Sequence, residues 1–357
     1  MNSERIFITG GAGFIGSRLV RALAQQGATV LAYDNLHPQV HGPAPRPDLA
    51  APLVKADIRD RSSLEQAVKE FRPTIVVHLA AETGTGQSAD EPARYSEVNV
   101  CGTAYLIEAL RRLDTPPRRV VLAATRAVYG EGAYLDSDGR RLVPPPRRPV
   151  DMARGVFDLM DGHGRVLQPI PTPEDVQLVP GSVYGSSKLM QEYLLQQSPA
   201  SWQTVLLRLQ NVYGPGQSLR NPYTGVLSIF CQQAMAGKTL NIFEDGHIHR
   251  DFVFVDDVVQ AFVASCGVEQ AAGRTLNIGT GERAAIGDVA RMILRQLGLP
   301  EQRCRVSGDF RAGDVRHAVA DVSAAHAVLG WQHKVSLERG VAALVDWARR
   351  EASANGQ

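Results

Sequence analysis

The stretch Ile6-Phe-Ile-Thr-Gly-Gly-Ala-Gly-Phe-Ile-Gly16 constrains this chain more than any other, because it demands a strand, a tight turn and a helix in quick succession. Arg5 to Thr9 is a short β-branched apolar run. It breaks at Gly10, after which Phe14, Ile15, Leu19, Val20 and Leu23 recur at helical spacing. In that setting each glycine has a physical use. Gly10 permits the turn, Gly13 lets backbone N–H groups approach a pyrophosphate at the positive helix end, and Gly16 lets helix and strand pack closely. The GxxGxxG turn, with Phe14 and Ile15 inside it, is the expected wall of a dinucleotide site.

A second apolar run, Thr29 to Tyr33, ends in Asp34, where a carboxylate can accept both hydroxyls of an adenosine ribose. The same carboxylate repels a 2′-phosphate. Neither of the next two residues, Asn35 and Leu36, is an arginine that could neutralise it. NAD is therefore favoured over NADP.

The 357 residues can hold one large α/β domain and a smaller lobe, and a 44% hydrophobic content suffices for a buried core. A net charge of +1 provides no field for nucleic acid or an anionic membrane surface. No apolar run is long enough to span a bilayer, and the N-terminus reads directly into a strand without a signal peptide, so a cytoplasmic location is expected. Cys101, Cys231, Cys266 and Cys304 are scattered without CxxC spacing. Reduced thiols are expected rather than disulfides or a metal site, and no metal is expected elsewhere.

Beyond Asp34 a Pro- and His-containing loop leads to the strand Leu53 to Ala56, whose carboxyl end places Asp57 and Ile58 to border an adenine. Helix Ser62 to Glu70 precedes strand Thr74 to Leu79, and the small residues that follow, from Ala80 to Ser88, permit close approach of a ligand. An amphipathic helix from Val98 to Leu113 leads to strand Arg119 to Ala124, with Thr125 at its carboxyl end. Residues 131–180 then interrupt the alternation with many prolines, glycines and charges. They read as an inserted loop, either a flap over the substrate or a surface excursion. Helix Val183 to Gln196 and strand Thr204 to Leu209 restore the pattern. Past Asn211 the elements shorten, as in a substrate-binding lobe.

Tyr184 and Lys188 stand four residues apart near the start of a helix, so both side chains project from one face. A lysine ammonium together with the positive nicotinamide favours the phenolate of such a tyrosine. It can then remove a proton from a sugar hydroxyl while hydride leaves the same carbon. His247 and His249 flank Arg250 in a loop and read as solvated histidines, since a third metal ligand is not evident.

The ordered motifs GGAGFIG, Asp34, His78-Leu-Ala-Ala81, Asn99-Val-Cys-Gly-Thr103, Thr125 with Val128-Tyr-Gly130, Tyr184-Gly-Ser-Ser-Lys188, Arg208-Leu-Gln-Asn-Val-Tyr-Gly-Pro215, Arg250-Asp-Phe-Val-Phe-Val-Asp256 and Gly313-Asp-Val-Arg316 resemble the extended short-chain dehydrogenase/reductase family. The resemblance implies an α/β Rossmann domain with a doubly wound parallel sheet over residues 1–210 and a smaller α/β nucleotide-sugar lobe over 211–357, with some exchange of chain between them. It implies a nucleotide-sugar substrate, tightly held NAD and a homodimer formed through the helices around 98–113 and 183–197. Thr125, Tyr184 and Lys188 would be the catalytic triad. Asn35, Leu36, Leu79, Ala80, Ala81, Thr83 and Asn99 would join the glycine turn around NAD. Thr85, Arg126 and Gly225 would border the substrate, Asn211 and Arg250 its diphosphate, Arg316 a phosphate or ribose, and Asn241 to Phe243 the base.

Relatives in that family that eliminate water carry an acidic residue two or three positions before the tyrosine of the Val-Tyr-Gly motif. Here those positions are Ala127 and Arg126, so 4-epimerisation is favoured over dehydratase or ketoreductase chemistry. An intact triad also argues against a non-catalytic NAD-binding regulator. Finer stretches, including Asp34 to Gly42, Ala81 to Ser88 and Thr125 to Glu131, are similar to the branch of bacterial dTDP-L-rhamnose 4-epimerases, with UDP-sugar 4-epimerases as the alternative.

Overall fold

The computed structural model describes residues 1–43, 45, 47–198, 201–219 and 225–354. Seven strands form one parallel sheet: β1 (Arg5–Thr9), β2 (Thr29–Asp34), β3 (Leu53–Lys55), β4 (Ile75–His78), β5 (Arg119–Thr125), β6 (Gln203–Leu209) and β7 (Thr275–Ile278). Their order across the sheet is β7-β6-β5-β4-β1-β2-β3. The order reverses direction between β1 and β4, which is where a doubly wound sheet opens a crevice at its carboxyl edge. Along β1, Ile6 and Ile8 enter one apolar layer and Phe7 the other, the alternation of a strand covered on both faces.

The first layer is closed by α1 (Gly16–Gln25), which contributes Leu19, Val20 and Leu23. The opposite layer is closed by α2 (Arg61–Phe71), α3 (Gly102–Arg111) and α4 (Val183–Gln197), through Leu64, Val68, Leu106, Leu110 and Leu195. The helix expected over 98–113 does not begin as an ordinary α-helix. Ser96–Cys101 forms a wide π-helical turn first, and this turn carries Asn99.

The C-terminal lobe packs α5 (Val226–Met235), α7 (Ile286–Leu297) and α8 (Leu337–Ala354) around a third core that includes Phe230, Ile242, Phe252, Ile293 and Leu344. Chain exchange is extensive, because α6 (Val255–Gly267) returns to cover the first layer through Val258 and Phe262, and β7 extends the large sheet.

Residues 131–180 are more ordered than their composition suggests. Short antiparallel strands Tyr134–Leu135, Arg141–Leu142 and Gln168–Pro169 pair into a small sheet. A buried ion network then ties this insert to the C-terminal lobe: Arg147 meets Glu131 at 3.2 Å and Glu244 at 2.9 Å, and Glu244 meets Arg316 at 2.8 Å. Asp158 of the insert accepts from Arg316 Nε at 3.0 Å. No residue of 131–180 lines the large cavity described below, so in this arrangement the insert is a strut against the lobe rather than a flap across the opening.

All four cysteines are free thiols. Among the described residues no helix is long and apolar enough to cross a membrane, and no group of three or more His, Cys, Asp or Glu side chains is placed to hold a metal.

Candidate active site

A cavity of about 1060 Å³ runs along the carboxyl edge of the sheet and into the cleft with the C-terminal lobe. The glycine turn forms one end. Gly10 has φ of 69°, and a Cβ there would lie 2.7 Å from Ala80 N. A Cβ on Gly16 would collide with the Gly10 carbonyl oxygen, and one on Gly13 would press it at 3.2 Å. The turn thus presents no side chain from these three glycines between its backbone and the cavity, the clearance that a pyrophosphate at the helix start requires. Gly11, which carried no assignment in the sequence, is also tight: its Cβ would sit 2.7 Å from Ala32 Cβ.

Asp34 closes β2 and lines the same end. Its two oxygens accept from Ala12 N at 3.0 Å and Leu36 N at 2.8 Å, which fixes the carboxylate where a ribose would lie. His41 approaches it at 3.7 Å. Ile58, Asn35, Leu79, Ala80, Ala81, Thr83, Phe14 and Ile15 complete the wall of this half, as expected. Three expected cofactor contacts do not line the cavity. Leu36 turns its side chain into the protein with φ of 54° and offers only its N–H to Asp34. Burial would raise the Asp57 carboxyl, but Arg59 grips it at 2.9 and 3.0 Å and, with Asn35, lowers it to about 2. Asn99 is fully buried: its Oδ1 accepts from Glu82 N at 2.8 Å, and its Nδ2 donates to Glu82 O at 3.1 Å and Ser187 Oγ at 2.9 Å. It ties the loop after β4 to α4.

Thr125, Tyr184 and Lys188 all line this cavity. Ser182 caps α4 by accepting from Gly185 N at 3.1 Å, and Ser88 Oγ accepts from Tyr184 N at 3.1 Å. A Cβ on Gly185 would lie 2.8 Å from Ala127 O, so only glycine lets this helix approach the turn Arg126–Tyr129 closely. That approach brings the Thr125 hydroxyl to the side of the Tyr184 phenol, where it favours the ionised form. Burial raises the phenol above its ordinary value, while Thr125 and the charge of Arg126 oppose that rise. Lys188 is buried, and loss of water pushes its ammonium down to about 7 against the pull of Glu192. His78, from the His-Leu-Ala-Ala motif, is a structural residue: its ring nitrogens lie 2.6 Å from Thr9 Oγ1 and 2.8 Å from Thr103 Oγ1.

The far half is lined by Thr85, Asn211, Gly225, Asn241, Phe243, Arg250, Arg311 and Asp314. Arg250 donates to Asp314 at 2.7 Å, and Arg311 stacks over Phe243 at 5.0 Å. The side-chain oxygen of Asn211 is buried without a partner among the described residues, an orphan suited to a polar ligand. Arg316, expected at a phosphate or ribose, is withdrawn from the cavity. It is claimed by Glu244, by Asp245 at 2.7 and 2.6 Å, and by Asp158. Sequence reasoning gave no role to Ser88, Ser182 or Asp314, whose partners lie 64 or more residues away except for the local helix cap; the cap pattern alone was readable.

A two-lobed α/β protein whose glycine turn, ribose carboxylate and Tyr184/Lys188 pair share one cavity is a nucleotide-dependent oxidoreductase-like enzyme by construction. The profile of the NAD dependent epimerase/dehydratase family matches residues 6–158 and 163–279, and the chain belongs to that family. It is 42% identical to the dTDP-L-rhamnose 4-epimerase of Burkholderia thailandensis, covering 98% of this chain and 96% of that protein. It is 33% identical to the UDP-glucose 4-epimerase of Mycolicibacterium smegmatis, over 98% and 99%. Among solved structures it is similar to UDP-glucose 4-epimerase with UDP-glucose from Thermotoga maritima, at a TM-score of 0.79, 30% identity and coverage of 97% and 99%. The Thermus thermophilus UDP-glucose 4-epimerase complex with NAD gives 0.75, 29%, 97% and 99%. NAD is the cofactor of this enzyme, as the collision-prone glycine cradle and Asp34 require.

Proposed function

We propose that this enzyme is a nucleotide-sugar 4-epimerase that interconverts dTDP-L-rhamnose and dTDP-6-deoxy-L-talose. The observation that carries the reading is local: Thr125, Tyr184 and Lys188 share one cavity wall, and the two residues after Thr125 are Arg126 and Ala127, neither of which can act as the acid of a dehydratase. The likeness to the Burkholderia thailandensis enzyme over nearly the whole chain supports the sugar and base.

In this reading the glycine turn, Asp34 and Ile58 hold the adenosine and pyrophosphate of NAD, and Tyr184 and Lys188 face its nicotinamide end. Bound NAD supplies reversible hydride acceptance at the sugar C4. Tyr184, as phenolate, takes the proton of the C4 hydroxyl, and Thr125 donates to the phenol oxygen to steady that charge. Asn211 and Arg250 hold the diphosphate while the 4-keto sugar turns its other face to the same tyrosine, which then returns the proton. A cavity of this size leaves room for that rotation. The protein is cytoplasmic and dimeric in this proposal, with Met190 and Tyr193, exposed on α4, in the subunit contact.

The test is incubation of the purified protein, without added cofactor, with dTDP-L-rhamnose and a set of UDP-sugars, followed by NMR. A C4 epimer of unchanged mass from dTDP-L-rhamnose is expected, and Tyr184→Phe should keep NAD and lose nearly all turnover. Conversion of a UDP-sugar alone would reassign the substrate, and retained turnover in the variant would overturn the mechanism.

A further inference from the structure

Two stretches singled out in the sequence, Asp34 to Gly42 and Ala81 to Ser88, meet at the ribose end of the cavity. After Asp34 the chain makes a helical turn, Pro38–His41, entered through Leu36 at φ of 54° and left through Gly42 at φ of 77°. Its backbone hydrogen bonds close on the turn itself: Val40 N and His41 N donate to His37 O at 3.0 Å, and Gly42 N donates to Pro38 O at 2.8 Å. His37, Gln39, Val40 and His41 line the cavity beside Asp34. A turn bonded chiefly to itself opens at low cost unless side chains fasten it to the body of the protein.

We propose that Gln39 and Gln87 form a clasp that holds this turn over the adenosine ribose of NAD and so sets how long the cofactor stays bound. Gln39 Nε2 donates to Gln87 Oε1 at 2.9 Å, and Gln87 Nε2 donates back to Gln39 Oε1 at 3.3 Å. The neighbours fix which end of each amide is nitrogen. Gln87 Nε2 also donates to the Glu91 carboxylate at 2.7 Å, and Arg94, which can only donate, lies 3.4 Å from Gln39 Oε1. The clasp acts on NAD alone and is independent of which sugar reacts.

The fixed half of the clasp is Gln87, buried on the short helix Thr85–Asp90. The same helix carries Ser88, whose Oγ accepts from Tyr184 N at 3.1 Å and so pins it to α4. Gln87 does not line the cavity, and it acts on the cofactor through Gln39 as a positioning residue. The other contacts to the turn are longer. Arg94 reaches His37 Nε2 at 3.4 Å while Glu82 and Glu91 hold it at 2.8 and 2.9 Å, and His41 Nε2 stands 3.7 Å from Asp34. The reciprocal amide pair is thus the tightest side-chain tie between the turn and the helix facing it.

The test measures NAD release with no sugar present. Wild type, Gln39→Ala, Gln87→Ala and the double variant are loaded with radiolabelled NAD by exchange and chased with excess unlabelled NAD, and the label retained after rapid desalting is followed with time. Loss of the two hydrogen bonds should speed release about 5- to 30-fold in either single variant. The double variant should release no faster than the singles, because either change opens the same clasp. Gln66→Ala, which removes an exposed glutamine bonded to Glu70 on α2, should release NAD as wild type does. Gln39 lies on the turn outside the three apolar cores, so Gln39→Ala still decides the matter if Gln87→Ala fails to fold. Release at the wild-type rate in Gln39→Ala overturns the proposal, as do effects of the two substitutions that multiply in the double variant. Failure of the wild type to turn over any nucleotide sugar would defeat the epimerase reading instead and leave the release measurement standing.

Discussion

Replacing Arg147 with methionine probes the strut that joins the insert to the C-terminal lobe. Arg147 is buried, as are both carboxylates that face it, Glu131 and Glu244. Removing one member of such a pair leaves a desolvated charge and costs about 3–5 kcal/mol. Here Glu244 keeps Arg316 at 2.8 Å and Glu131 keeps the Arg316 N–H at 2.8 Å, so the loss belongs at the lower end, about 3 kcal/mol. For a chain this long that corresponds to a fall in melting temperature of about 6 °C. The surface pair Arg141 and Asp175, at 3.1 Å with both side chains about half exposed or more, is the control, and Arg141→Met should cost about 0–1 kcal/mol. Denaturant unfolding with matched slopes measures both. Because Glu244 follows Phe243 on the cavity wall, Arg147→Met should also raise KM with little change in kcat. A stability loss for Arg147→Met no larger than that of Arg141→Met would refute the idea that the insert is fixed by this network.

Other perturbations read different parts of the molecule. Gly16→Ala drives a methyl into the Gly10 carbonyl, an overpacking cost of about 1–3 kcal/mol, and the purified variant should carry little NAD when its nucleotide is released and quantified. Asn99→Ala unties Glu82 from Ser187 and shifts the tyrosine helix against the loop after β4, so kcat should fall about 10- to 100-fold while NAD content holds. His78 is kept neutral by burial, with the Lys188 charge adding to the effect, and is pushed down to about 3. Between about 6.5 and 3 the unfolded chain binds a proton there that the folded one refuses, so stability falls as pH drops through that window. Melting curves on acidification should be shallower for His78→Gln than for wild type.

The parts of this structure legible in the sequence are those whose physics is local. The strand, glycine turn and helix of residues 5–25 announce themselves because period-two and period-3.6 apolar patterns meet at residues that only a tight turn needs. Tyr184 and Lys188 were readable because four residues along a helix is a fixed geometry. Arg316 misled, since its motif position suggested a phosphate, whereas Asp158, 158 residues earlier in the chain, and the Glu244-Asp245 pair reach it first. The insert looked irregular for the same reason. Its order comes from Glu131 and Arg147 meeting a lobe built a hundred residues later, and no periodicity encodes such a pairing. Asp57 and Asn99 follow motifs that suggest a ligand, but a neighbouring arginine and a buried loop already use them. The glycines at 11 and 185 needed the packing partner, Ala32 or Ala127, before their necessity was visible.

The most direct measurement follows dTDP-L-rhamnose carrying deuterium at C4 through the reaction in ordinary water, with no cofactor added. Removal and return of the same hydrogen within one cavity predicts dTDP-6-deoxy-L-talose of unchanged mass with the deuterium still at C4. Loss of the deuterium to solvent, or a product lighter by one water, would contradict the account.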